Sequence, residues 1–98
     1  MEIGPGRLGH NFTKDVIFAY APNASGVYAL YNAALWVYIG ESSDIQTRLI
    51  QHLSEPGTCL KEQGTLNFLY ELVAADKRVA RQNELILELG PICNQMKG

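Results

Sequence analysis

The sequence predicts a small α+β domain, a three-stranded and mostly antiparallel sheet flanked by helices. Two segments rich in aromatic and β-branched residues, 26–31 and 35–40, flank the short run Asn32, Ala33 and Ala34, the pattern of a β-hairpin. Beyond it, Ile45, Leu49 and Leu53 recur at helical spacing, and a third extended segment, 66–74, leads into a second helical stretch. The order is strand, strand, helix, strand, helix. A chain of 98 residues has room for one such domain, and 47% hydrophobic against 18% charged residues is globular composition.

The N-terminal segment, 1–25, carries the weakest signal. Gly4, Pro5, Gly6 and Gly9 mark a loose start, and Pro22 to Ser25 reads as a turn. Residues 15–20 suit a short strand or a helical turn equally. In the hairpin, a three-residue loop pairs Tyr31 with Leu35, Tyr28 with Tyr38 and Gly26 with Gly40, setting the two tyrosines side by side. A two- or four-residue loop would break that pairing. Ser43 or Asp44 caps the following helix, with Arg48 and His52 together at the edge of its apolar stripe, and Pro56 and Gly57 end it. Asp76 is placed to cap the second helix, which runs to Leu89 and ends at Gly90 and Pro91. On a helical wheel Lys77, Arg81, Glu84 and Glu88 share one face and Val79 and Ile86 mark the other. Residues 95–98 form a tail.

Composition narrows the function classes. No apolar run is long enough to span a bilayer, and the first residues lack the layout of a signal peptide. Cys59 and Cys93 are too few for a secreted disulfide scaffold and read as free thiols in a reducing cytosol, hence a cytoplasmic protein. Eight Lys and Arg against ten Asp and Glu give a net charge of -2, unlike most non-specific nucleic-acid binders. A nucleic-acid role needs a local basic patch or a partner, and Lys77, Arg78 and Arg81 are the visible cluster.

Singly, the polar residues of interest have ordinary explanations: sheet packing for Tyr28 and Tyr38, surface positions for Arg48 and His52, a charge-laced helix face for Glu84. In series they say more. Gly26, Val27, Tyr28, nine intervening residues, then Tyr38, Ile39 and Gly40 resemble the name motif of the GIY-YIG nuclease family. Residues 44–48 with His52 resemble that family's arginine-bearing first helix, residues 83–86 the helix with its metal-binding glutamate, and residues 91–94 its closing proline and asparagine. The similarity spans residues 26–94, in order.

The resemblance implies a catalytic domain over 26–94 that hydrolyses phosphodiester bonds, usually in DNA, as a metal-dependent endonuclease. Arg48 would stabilise charge on the phosphoryl oxygens, and Glu84 would be the one protein ligand to Mg²⁺ (or Mn²⁺), which tolerates a sparse site. Tyr28 or His52 would be the general base; the sequence leaves that choice open. Tyr38 would hold the phosphate or the water. Gly26 and Gly40 would let the phosphate approach the backbone, Lys77 and Arg81 would add substrate contacts, and Asn94 would support the region. Glu41 departs from the basic or small residue common at that place and would repel a phosphate unless paired. No recognition module accompanies the motifs, so the resemblance implies either a free-standing domain or one served by a partner protein. The alternative is a non-catalytic nucleic-acid-binding or protein-interaction module on the same fold.

Overall fold

A strand's side chains alternate between faces, and the central strand shows what that dictates. Val27 and Ala29 bury themselves with Ile39 and Leu85 on one face, Tyr28 and Leu30 with Phe68 and Leu49 on the other. A strand buried on both faces belongs in the middle of a sheet with a layer on each side. That is the architecture of the computed structural model, which describes residues 9–94. The Gly4, Pro5, Gly6 start and the 95–98 tail lie outside them.

The strands are β1 (His10–Asn11), β2 (Gly26–Tyr31), β3 (Trp36–Ser42) and β4 (Asn67–Leu72), in the spatial order β1-β4-β2-β3. Every pairing is antiparallel. The three expected strands form the sheet, and β1 adds a fourth at its edge; two residues are too short to carry a periodic signal.

Helix α1 (Lys14–Tyr20) resolves the ambiguous segment as helix and buries Ile17. Helix α2 (Ile45–Ser54) starts at Asp44, whose side chain accepts from the Thr47 backbone N–H at 3.1 Å. A short helix, α3 (Gly57–Lys61), follows in the stretch read only as a stop signal. These three cover the Tyr28 face with Ile17, Ile45, Leu49 and Leu60. Helix α4 (Arg78–Leu89) covers the other face through Leu85.

Two expectations about α4 are corrected. Asp76 is not its cap: the chain leaving β4 tightens into a 3-10 turn, Ala75–Lys77, closed by Lys77 N–H to Ala74 O, and no side chain caps the helix. Nor does Val79 mark the inward face; it is exposed while Leu85 is buried. Arg78 and Arg81 turn inward instead, because strand carboxylates wait for their guanidinium groups while their stems cover the sheet. The C-terminal stop is as expected: Gly90 adopts φ +60° and its N–H closes on Ile86 O.

The chain beyond α4 returns along the exposed edge of β3. Ile92 and Cys93 donate backbone hydrogen bonds to Trp36 and Val37, covering an edge that would otherwise be open. This return overturns the reading of the cysteines as free thiols. Cys93 meets Cys59 of α3 and the two are joined as a disulfide, with Cα atoms 5.8 Å apart across 34 residues of sequence. The inference of a reducing compartment loses that support. Among the described residues no helix is long and apolar enough to cross a membrane.

Candidate active site

The hairpin decides where the site lies, and its register differs from the expectation. The loop is Asn32 to Leu35, one residue longer than expected, so Tyr31 pairs with Trp36. Asn32 stabilises it by accepting from the N–H groups of Ala34 and Leu35. A four-residue loop alone would place the tyrosines on opposite faces. A bulge between the Tyr31 and Leu30 pairings inserts Val37 and restores the parity, so Leu30 faces Tyr38 and Tyr28 faces Gly40. The tyrosines therefore share a face as diagonal neighbours, with ring centroids 6.2 Å apart, rather than as a direct pair.

Helix α2 brings His52 onto the same face. Tyr28 Oη and His52 Nε2 are 2.7 Å apart, and the Tyr38 ring meets the imidazole edge-on at 5.0 Å between centroids. Tyr28 is fully buried (0% exposed), while Tyr38 and His52 lie half-buried above it. Burial, with the neighbouring Tyr38, pushes the Tyr28 phenol above its ordinary range, and the Arg48 guanidinium only partly opposes this. Burial first, then the Arg48 charge, lowers the His52 pKa to about 4. Both groups are neutral at neutral pH. Arg48 itself is exposed, one helical turn before His52, and its Nη1 donates to Gln51 Oε1 at 3.0 Å. Gln51 steers the arginine; its only signal in the sequence was a spacing of three residues.

The glycines serve the protein's own packing. A Cβ on Gly40 would meet Tyr28 Cζ at 2.5 Å, because the phenol ring lies across that residue. A Cβ on Gly26 would meet Ile45 Cδ1 at 2.9 Å and run into the Glu71 carbonyl. The space read as room for a phosphate is thus filled by side chains, and both glycines are buried. Asn94 grips β3 from its edge: Ile39 N–H donates to Asn94 Oδ1 and Asn94 Nδ2 donates to Ile39 O, both at 2.7 Å. Glu41 is paired, its Oε1 2.7 Å from Arg78 Nε, which removes the repulsion a lone carboxylate would exert.

Glu84 stands apart from this cluster. It lies on α4, whose buried side meets the opposite face of the sheet, and Arg81 holds its carboxylate. Arg81 also donates to both oxygens of Glu71 on β4. The expected basic patch of Lys77, Arg78 and Arg81 is therefore largely neutralised, leaving Lys77 exposed at its end. Among the described residues no three His, Cys, Asp or Glu side chains gather as a metal-holding group. Mg²⁺ needs no such group, but it does need a carboxylate facing the reacting phosphate. Glu84, bound to arginine on the far layer, does not fit that requirement in this arrangement.

The comparisons agree on the fold. The magnesium-bound GIY-YIG N-terminal endonuclease domain of UvrC from Thermotoga maritima superposes with a TM-score of 0.62 at 24% identity, over 81% of this chain and 96% of that one. A point mutant of that domain bound to its catalytic divalent cation gives 0.62 at 23% identity over the same shares. In sequence, UvrABC system protein C of Hydrogenobaculum sp. (strain Y04AAS1) is 40% identical over 52 residues, 53% of this chain but 9% of that protein. The chain thus matches only a small part of that relative's length. No family model matches. The chain has the fold of the GIY-YIG endonuclease domain, with a small antiparallel sheet between helical layers.

Proposed function

We propose that this domain hydrolyses phosphodiester bonds in DNA as an endonuclease, with His52 as the general base and Arg48 as the phosphate-binding cation. The carrying observation is the 2.7 Å contact between His52 and the buried Tyr28, beside Tyr38 and Arg48 within a GIY-YIG fold. Burial separates the roles of the two candidate bases. Tyr28 has no surface from which to meet water, and burial resists its ionisation. His52 is partly exposed and neutral. If Tyr28 accepts from Nε2–H, Nδ1 is left as the ring's acceptor, and Tyr28 is a positioning residue.

The step then balances simply. His52 Nδ1 takes a proton from water as the water oxygen bonds to phosphorus. The bond from phosphorus to the departing sugar oxygen breaks, and that oxygen takes a proton from solvent. Arg48 meets the charge growing on the phosphoryl oxygens, and Tyr38 bounds the same surface. A base held near 4 keeps its proton only while that charge persists. Lys77, in the 3-10 turn that leads into α4, is the cation available for substrate there; Arg81 is not, while it holds Glu71 and Glu84. Because Glu84 does not fit as the ligand of a divalent cation, no step here passes through one.

One observation favours a second reading, a nucleic-acid-binding module without catalysis: Glu84 sits away from the tyrosine cluster. Cleavage of plasmid, branched and single-stranded DNA, with Mg²⁺ or Mn²⁺ at low salt, separates the two. The first reading expects cleavage that is lost in Arg48→Ala and His52→Ala. Binding without cleavage by the folded wild type would leave the second.

A further inference from the structure

A cleft of about 360 Å³ opens beside His52, between the chain preceding α1 and the α2–α3 corner. That volume is within the range of small-ligand sites, about 300–1,000 Å³. Phe12, Leu53 and Leu60 supply apolar and aromatic wall, Thr13 and Thr65 supply hydroxyls, and Lys61 supplies positive charge. His52 belongs both to this wall and to the Tyr28 cluster. Arg48 is one turn earlier on α2, about 6 Å along the helix axis. An anion at Arg48 and a flat, partly polar group in the cleft would be separated by the span of a single nucleotide.

We infer that the cleft receives an unpaired nucleobase adjoining the phosphate held at Arg48, so that the preferred substrate is DNA with a base out of its stack. This rests on the DNA-directed reading above. The walls match that ligand class: an aromatic ring and aliphatic groups for the face of the base, hydroxyls for its edge, a cation for the neighbouring backbone. A base still paired in a duplex cannot enter, because its faces are occupied by its neighbours.

The test compares two duplexes, identical except that one bulged nucleotide carries a base and its twin is abasic. Binding is read by fluorescence anisotropy without divalent cation. The wild type is expected to bind the base-bearing bulge about tenfold more tightly, from the ~1–3 kcal/mol typical of a stacked base. Thr65→Trp and Thr13→Trp, at adjacent exposed positions on the cleft wall, next to the Phe12 N–H to Leu66 O hydrogen bond, are expected to abolish that preference and leave abasic binding unchanged. Equal binding of the two duplexes by wild type, or a preference surviving both substitutions, would overturn the inference. Base-dependent binding without cleavage would sink only the nuclease reading, whereas cleavage without base preference would sink only the cleft assignment. A wild type that binds neither duplex would overturn both.

Discussion

At the scale of single residues, His52 makes the sharpest predictions. Its ordinary pKa of 6.5 falls to about 4, through burial and then through Arg48. Cleavage that needs neutral His52 should therefore stay level as pH falls through 6.5 and drop only towards 4. An NMR titration of the imidazole checks this directly, and a midpoint near 6.5 would refute it. Arg48→Ala should move the midpoint upward, since a repelling charge is gone. The stability linkage has the same sign. The folded state prefers neutral His52, so this contribution is present above the unfolded pKa and fades as pH falls towards 4. Tyr28→Phe keeps the buried ring and deletes the contact with Nε2. It should lower cleavage about a hundredfold, within the range of general-base contributions, with the fold retained by circular dichroism. Undiminished cleavage would deny Tyr28 its positioning role.

Elements carry the next level of constraint, and here the sequence was partly legible. Strands β2 and β3 were readable because their β-branched and aromatic residues have few other places to go in so small a chain. Their register was not, since it depends on a loop of four residues rather than three and on a compensating bulge at Val37; Asn32 marks the turn but not its length. Helix α2 announced itself through Asp44 and its apolar spacing, so Arg48 and His52 were placed together correctly. Helix α4 is legible and Ile86 packs against the core as expected, but Val79 does not, because two arginines turn towards the sheet in its place. Glu84 was assigned by motif and spacing, which say nothing of the sheet face a helix covers. Asn94 tests how these elements are tied together. Asn94→Ala removes both hydrogen bonds to Ile39 and should cost about 2 kcal/mol, twice the usual net value of one such bond. Asn94→Asp keeps the acceptor for Ile39 N–H and faces the Ile39 carbonyl with a second acceptor, so it should not restore stability. Urea unfolding of the two variants decides this; a stable Asn94→Asp would mean the clamp from Nδ2 is unimportant.

For the whole molecule, the relevant link is the one the sequence hid. Two cysteines 34 residues apart carry no pairing signal, and only the return of the chain along β3 brings Cys93 to α3. The bridge closes a loop holding α3, β4 and α4, and its Cys93 end adjoins the Asn94 clamp on the strand that carries Tyr38. Its stabilisation comes chiefly from restricting the unfolded chain, and a loop of this size corresponds to about 3–4 kcal/mol. Reduction should then lower the melting temperature by roughly 12–32 °C, given the ~4–8 °C per kcal/mol expected for a domain this small. The Cys59→Ala, Cys93→Ala double variant should match the reduced protein and be insensitive to reductant. Because the segment it anchors supports β3, reduction should also speed amide exchange at Ile39 before the central strand β2 is affected. An unchanged melting temperature on reduction would mean that the hydrophobic layers alone hold the C-terminal return in place. Retained stability with faster exchange at Ile39 would instead localise the bridge's effect to the edge of the sheet beside the site.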